Sequence, residues 1–300
     1  MRILFTGGGG AATSALWELL KDQHEVYFAD ADVDAKPRDV PLSRWACIPR
    51  ADQPAFVDGL REWCNAVSIQ LLVPGVDEEL LPLSASRSWR ETFACHIVLP
   101  SAEFIARYQD KYESMNHLAS IGIMVPRTDL LVGMMRMPCI VKPRVGRGSR
   151  GVTLCRSADM ARSMVAFASS ESVVQEYLEG QEYTVTCVAD QQMNLRAVVP
   201  VKVGLKRGVT LRAETDHDEA VTALCVAIHK ADPFSGIVNV QCIKAADGTV
   251  KPFEINPRIS TTTCLAMAAG VDVLGLALSD GLAPFRHVSL RRSWATEMVG

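Results

Sequence analysis

The sequence predicts an α/β unit with a doubly wound, parallel sheet at its N-terminal end, followed by α+β structure with antiparallel hairpins. Three observations carry this. Short apolar runs alternate with helical periodicity over residues 1–100, the pattern of a parallel sheet. Gly7-Gly8-Gly9-Gly10 lies between the first strand and the first helix. After Pro100-Ser101 the rhythm changes to strands joined by hairpins, one turning at Asp247-Gly248.

The elements follow in order. Residues 2–5 are a β-type run, and Ala15, Leu16, Leu19 and Leu20 recur at helical spacing to about Asp22. Residues 24–29 form a second strand closing on Asp30. Prolines at 37, 41, 49 and 54 leave 31–55 irregular. Residues 56–64 read as a helix, 69–73 as a buried strand ending in Pro74-Gly75, 78–83 as a helix and 96–99 as a strand. Ser101 is an N-cap candidate, with Glu103 in the first turn, for a helix running through Phe104, Ile105 and Tyr108 to about Ser120. Gly122 and Pro126 stop it. Strands are then expected at 139–142, 152–154, 173–177, 183–189, 195–203, 237–244 and 250–255, and helices near 158–168, 216–230 and 262–269.

Composition narrows the function classes. Three hundred residues suggest two units with sub-lobes. Hydrophobic content of 48% and charged content of 22% suit a globular enzyme. A net charge of −3 gives no basic excess for a nucleic-acid partner. No apolar run approaches the ~18 residues of a membrane span, and Met1–Gly7 reads straight into a strand rather than a secretory signal. The nine cysteines contain no C-x-x-C pair and no zinc-like spacing with histidine, which points to reduced thiols in the cytoplasm.

Four segments carry chemistry. Gly7, Gly9 and Ala12 fit G-x-G-x-x-A, with Asp30 eighteen residues after Ala12, the geometry of a dinucleotide fingerprint or simply of a tight βα turn. Lys142 ends a strand and Arg144–Gly151 follows, rich in glycine and arginine. A point charge beside a loop of approachable N–H groups clamps phosphates, although solvated arginines on a hairpin would look the same. Glu176 and Glu182 offer two acceptors on one edge, suited to an adenine amino group and ribose hydroxyls or to water. Glu254 and Asn256 share a strand face, and Gln241 on the neighbouring strand joins them. Oxygen ligands of this kind suit Mg²⁺ held jointly with substrate phosphates, and Arg258 can reach the same phosphates.

These residues resemble the ATP-grasp superfamily, most of all the ATP-grasp modules of carbamoyl-phosphate synthetase large subunits. The specific strings are N-V-Q…D-G…F-E-I-N-P-R-I-S over 239–260, then Ala269-Gly270-Val271 and Asp110-Lys111. L-E-G-Q-E-Y-T-V over 178–185 is similar to the hinge of D-alanine ligases. The resemblance covers nearly the whole chain in order. It implies a preATP-grasp Rossmann-like domain at 1–100, a linker helix and lid lobe at 101–178, and a C-terminal lobe with the metal site at 179–300. Lys111 and Lys142 would contact phosphates, with Lys142 also near the adenine. Gly146, Arg147, Gly148, Ser149 and Gly151 would belong to a flexible loop over them. Glu176, Tyr177 and Leu178 would hold adenine, and Glu182 the ribose. Gln241, Glu254 and Asn256 would handle Mg²⁺, with Mn²⁺ as a substitute, and Arg258 and Lys142 would be catalytic.

The implied activity is ATP-dependent carboxylate–amine ligation through an acyl phosphate, releasing ADP and phosphate. The duplicated module and ammonia-handling partner of the synthetases are absent from these residues, which argues against carbamoyl phosphate as product. Substrates are barely legible. Lys202, Lys206 and Arg212 could meet a carboxylate or be a solvated hairpin, and Asp77-Glu78 could meet an amine or cap a helix. A homodimer is left open. Two rivals stand beside the ligase: an NAD(P)-dependent oxidoreductase using the Gly7 turn, and a non-catalytic ATP-sensing relative.

Overall fold

The structure is a computed structural model, and it describes residues 1–85, 93–133, 135–275 and 282–293. The N-terminal sheet contains β1 (Arg2–Thr6), β2 (Glu25–Asp30), β3 (Trp45–Cys47), β4 (Leu71–Val73) and β5 (His96–Ile97). Its order is β3-β2-β1-β4-β5, parallel throughout. Helices α1 (Thr13–Leu20), α2 (Phe56–Val67) and α3 (Asp77–Ala85) connect the strands. This is the doubly wound sheet expected. Its strand order reverses between β1 and β4, so the Gly7 turn and the start of α3 flank one crevice. The segment expected to be irregular hides β3, which has only three residues and no periodicity to reveal it.

The single helix expected over 101–120 is two, α4 (Ala102–Gln109) and α5 (Lys111–Ser120). Asp110 separates them in an extended conformation and accepts the N–H groups of Tyr112 and Glu113. An aspartate that can cap makes a chain break where apolar spacing alone reads through.

Two antiparallel sheets follow. The smaller has β6 (Thr128–Asp129), β7 (Cys139–Pro143), β8 (Thr153–Cys155) and β9 (Ser172–Glu176) in the order β6-β9-β7-β8, with α6 (Ala158–Ala166) against it. The larger has β10 (Gln181–Ala189), β11 (Leu195–Arg207), β12 (Val209–Thr215), β13 (Gly236–Lys244), β14 (Val250–Asn256) and β15 (Ser289–Arg291), in the order β14-β13-β10-β11-β12-β15. Helices α7 (Glu219–Ala231) and α8 (Thr263–Ala268) complete it. Strand β12 was not expected. It turns at Gly208 from a β11 that runs four residues past the expected end at Val203.

Alternation along β10 sets the faces. Tyr183, Val185 and Cys187 pack with Val221, Cys225 and Ile228 of α7, leaving Glu182 and Thr184 on the opposite face. Gly180 turns the chain into β10 at φ +149°, where a Cβ would lie 2.2 Å from the Lys244 carbonyl oxygen. A second core joins the N-terminal sheet to the larger antiparallel one: Ile3, Phe5 and Val73 cluster with Val199, Val201, Ile259 and Leu265. Among the described residues, no helix is long and apolar enough to cross a membrane.

Candidate active site

A cavity of about 570 Å³ opens between the two antiparallel sheets. Its roof is the loop after β7, and its floor is the face of β10, β13 and β14 that points away from α7.

Lysine supplies much of its charge. Lys142, at the end of β7, is 3% exposed. Its Nζ donates to Gln175 Oε1 at 2.9 Å and to the Phe253 carbonyl at 3.1 Å. Burial pushes its pKa down to about 8, opposed by Glu254 and assisted by Lys111 and Lys206. Lys111 is buried at the start of α5 and donates to the Gly146 carbonyl at 2.8 Å, tying the loop to the helix. Lys206 reaches in from β11, donating to Glu182 at 2.7 Å and Gln241 at 3.2 Å.

Arg144 anchors the stem of the loop, bonding Asp110 at 2.8 Å and Glu171 at 3.0 Å. Beyond it, Gly146–Arg150 line the cavity and stay solvent-exposed. A Cβ on Gly148 would meet nothing within 4 Å. Gly151 falls outside the lining, against Pro143.

The floor carries the oxygen set. Pairing puts Gln241 opposite Glu254 and Asn239 opposite Asn256. Glu254 and Asn256 line the cavity, and neither side chain makes a hydrogen bond among the described residues. Asn256 is nonetheless only 7% exposed. Its amide opens on the cavity and takes no protein partner, so its oxygen is free to meet a ligand or ion there. Among the described residues no group of three or more His, Cys, Asp or Glu could cage a metal. One carboxylate with two side-chain amides therefore fits Mg²⁺ shared with phosphates better than a self-sufficient metal site.

Glu176, Tyr177, Leu178, Glu182 and Arg258 also line the cavity. The Glu176 carboxylate is already engaged, accepting from the Arg127 N–H at 3.0 Å and facing Lys251 at 3.4 Å. Arg258 donates to both oxygens of Asp77, at 2.6 and 2.8 Å. Burial works against its charge, yet Asp77, joined by Glu254 and Glu78, holds the pKa above the ordinary value.

The expected substrate residues divide. Lys206 lines the cavity. Lys202 does not: it stands opposite Tyr183, on the α7 side of the sheet, 3.9 Å from Glu214. Arg212 is exposed on β12 and also outside the cavity. Asp77 and Glu78 lie outside the lining as well, occupied by Arg258 and Arg147. Reasoning from the sequence did not single out Gln175, Thr210 or Ser260–Thr262, which also line the cavity. Gln175 was findable, since it opposes Ile140 in the pairing of β9 with β7 and contacts the one buried lysine of β7.

The Gly7 turn is bonded within its own chain, with Gly9 and Gly10 still exposed. The Gly9 N–H donates to Asp30 at 2.9 Å, so the acid proposed for a ribose closes the turn instead. A Cβ on Gly9 would sit 2.5 Å from Ala35 Cβ, and one on Gly8 2.8 Å from the Trp45 ring.

The family described as ATP-grasp in the biosynthetic pathway with Ter operon matches residues 168–293. A D-alanine–D-alanine ligase of Anaeromyxobacter dehalogenans (strain 2CP-C) is 28% identical over 48% of this chain and 51% of that protein. A carbamoyl phosphate synthase large chain of Vibrio cholerae serotype O1 is 24% identical over 59% of this chain and 19% of that one. The chain thus spans about half the length of the ligase it matches, or less. A structure described as an ATP-grasp superfamily protein from Archaeoglobus fulgidus superposes with a TM-score of 0.68 at 16% identity, covering 99% of this chain and 94% of that one. The chain has the ATP-grasp fold, and its residues 168–293 are similar in sequence to an ATP-grasp family.

Proposed function

We propose that this ATP-grasp chain is an ATP-dependent carboxylate–amine ligase. A substrate carboxylate attacks the γ-phosphorus of ATP, forming an acyl phosphate and releasing ADP. An amine then displaces phosphate at the acyl carbon, leaving an amide and a proton. The supporting observation is the unpartnered oxygen pair of Glu254 and Asn256 on the floor of a cavity that Lys111, Lys142 and Lys206 make cationic.

Lys111 and Lys142 bind phosphate oxygens, and the loop from Gly146 to Arg150 covers them with N–H groups. Leu178 and Glu176 border the adenine, and Glu182 the ribose, once Lys206 releases it. Gln241, Glu254 and Asn256 hold Mg²⁺, with Mn²⁺ an acceptable substitute, and the ion would supply charge neutralisation at the transferring phosphoryl group. Arg258 stabilises the same group. Catalysis here is positioning and electrostatics, without a protein nucleophile.

The proposal extends to a division at 1–100, 101–178 and 179–300, following the three sheets, and to small-molecule partners alone. Nine free cysteines fit a reducing compartment, hence the cytoplasm. Assembly as a homodimer is included and is checked by light scattering.

Release of ADP and phosphate across a matrix of carboxylates and amines tests the activity. Glu254→Gln is nearly isosteric and should fold, yet lower turnover by roughly 10²-fold or more, as single electrostatic deletions at active sites do. A folded Glu254→Gln protein, saturated with ATP and Mg²⁺ and within a few-fold of the parent, would remove the metal-site assignment.

A further inference from the structure

Arg258 is held from outside its own lobe. It follows β14, whereas Asp77 opens α3 after the fourth strand of the N-terminal sheet, 181 residues away in sequence. A guanidinium has five N–H groups in one plane. Nε and Nη2 each give one to an Asp77 oxygen, at 2.6 and 2.8 Å, and Nη1 gives one to the Ile259 carbonyl at 2.8 Å. That leaves one N–H on each terminal nitrogen without a described partner, on a side chain that lines the cavity. The pair is well shielded, with side-chain exposures of 14% for Arg258 and 15% for Asp77.

The neighbouring acid shows the contrast. Glu78 pairs with Arg147 of the roof loop at 2.8 Å, but these side chains are 57% and 39% exposed. An exposed pair of this kind fixes little, whereas a bidentate, shielded pair sets the plane of the fork. Asp77 is itself pinned: its carbonyl accepts the side-chain amide of Gln109, and the apolar core joins Val73, four residues before it, to Ile259, next to Arg258.

We propose that Asp77 is a positioning residue for phosphoryl transfer, fixing the Arg258 fork so that its two remaining N–H groups meet the γ-phosphoryl oxygens. The N-terminal domain then completes the transfer site rather than only flanking it. This rests on the ligase proposal above, in which Arg258 faces the γ-phosphate.

The test compares two probes, the β,γ-imido analogue of ATP and ADP, each with Mg²⁺, titrated against the full chain. Only the first carries a γ-phosphoryl group. Asp77→Asn and Asp77→Ala should each weaken the imido analogue by roughly tenfold relative to ADP, a coupling of the size found between residues sharing one site. Asp77→Glu, which restores a carboxylate, should recover part of the preference. Arg258→Ala should lose it too, and adding Asp77→Ala to Arg258→Ala should change nothing further. A merely structural Asp77 would weaken both nucleotides equally, and that outcome overturns the proposal. So does a further loss of preference when Asp77→Ala is added to Arg258→Ala. If Asp77→Ala fails to fold, the nearly isosteric Asp77→Asn decides. Failure of the parent protein to bind either nucleotide would instead overturn the ligase proposal, and this one with it.

Discussion

The turn at Gly7–Gly10 and the loop at Gly146–Gly151 share a signature. Each follows a strand, each is rich in glycine, and each lies near a buried ionisable side chain. Under the first, Glu79 is 5% exposed and its carboxyl is pushed up to about 8 by burial, against a hydrogen bond from Thr6. Under the second, burial pushes Lys142 down to about 8. At neutral pH the first is therefore uncharged and the second cationic. The first turn is closed by Asp30, Ala35 and Trp45, while the second opens on a cavity. Glycine next to a strand signals close backbone approach, and what approaches, the chain itself or a ligand, depends on packing that the motif does not encode.

Glu79 offers the largest effect. Its folded pKa lies above its ordinary 4.5, so the folded state binds more protons than the unfolded state between those values. Its contribution is most favourable below about 4.5 and is lost as pH rises to about 8, a swing of order 5 kcal/mol at ~1.4 kcal/mol per pKa unit. Glu79→Gln cannot ionise. It should be the more stable protein at pH 8 and should flatten this part of the stability profile. Urea unfolding at pH 5, 7 and 9 checks it, and parallel profiles for the two proteins would refute the buried-acid account.

Valine at the two loops should separate them next. At Gly9 the added Cβ meets Ala35 Cβ at 2.5 Å, with no flexible side-chain end to yield. Overpacking of this kind costs about 1–3 kcal/mol, visible as a lower midpoint in thermal unfolding. At Gly148 an added Cβ meets nothing within 4 Å, but φ is +68°, so valine strains the backbone by ~1–3 kcal/mol unless the exposed loop shifts as a whole. Gly148→Val should therefore act on ATP–Mg²⁺ affinity as well as on the midpoint, whereas Gly9→Val should act on the midpoint alone.

Periodicity made the architecture legible: the order of large elements, the parallel sheet and the hairpin at Asp247-Gly248 all follow from alternation and turn chemistry. It failed where elements are too short to show a period, as in β3, β6 and β15. It also failed at Asp110, where one cap divides a continuous apolar pattern. At the site, residues on one strand were readable, because Glu254 and Asn256 must share a face. Contacts between distant segments were not. Lys202 and Lys206 look alike in sequence, and an irregular β11–β12 pairing near Leu205 helps send them to different surroundings. Asp77 looked available until the fold brought Arg258 to it.

The charge difference between the two buried groups can be read through nucleotide binding. Below about pH 8 Lys142 is cationic and should support ATP–Mg²⁺ affinity fully. Above it the free protein's lysine loses its proton, and a charged hydrogen bond worth ~1.5–3 kcal/mol weakens. Affinity should fall roughly tenfold as pH rises from 7 to 9.5, and the profile of Lys142→Met should be flat by comparison. For stability the sign is opposite to that of Glu79. A lysine with a lowered folded pKa binds fewer protons when folded, so its penalty shrinks as pH rises from about 8 towards 10.5.

Amide exchange gives the smallest expected change and the most direct contrast. The first turn has its own acceptors: Gly8 N–H bonds the Ala29 carbonyl, Gly9 N–H the Asp30 carboxylate and Gly10 N–H the Gly7 carbonyl, all at 2.9 Å. In the second, the bonds from Arg150 N–H to Arg147 and from Val152 N–H to Ser149 stretch to 3.5 Å, too long to protect well. Gly8–Gly10 should therefore exchange slowly whether or not nucleotide is present. Residues 147–151 should exchange fast alone and slow several-fold with ATP–Mg²⁺, because phosphate oxygens supply the acceptors that the chain does not. ADP–Mg²⁺ should protect them less if the loop covers the γ-phosphate. Equal exchange of 147–151 with and without nucleotide would mean that the second loop, like the first, is a structural turn, and the comparison would lose its functional half.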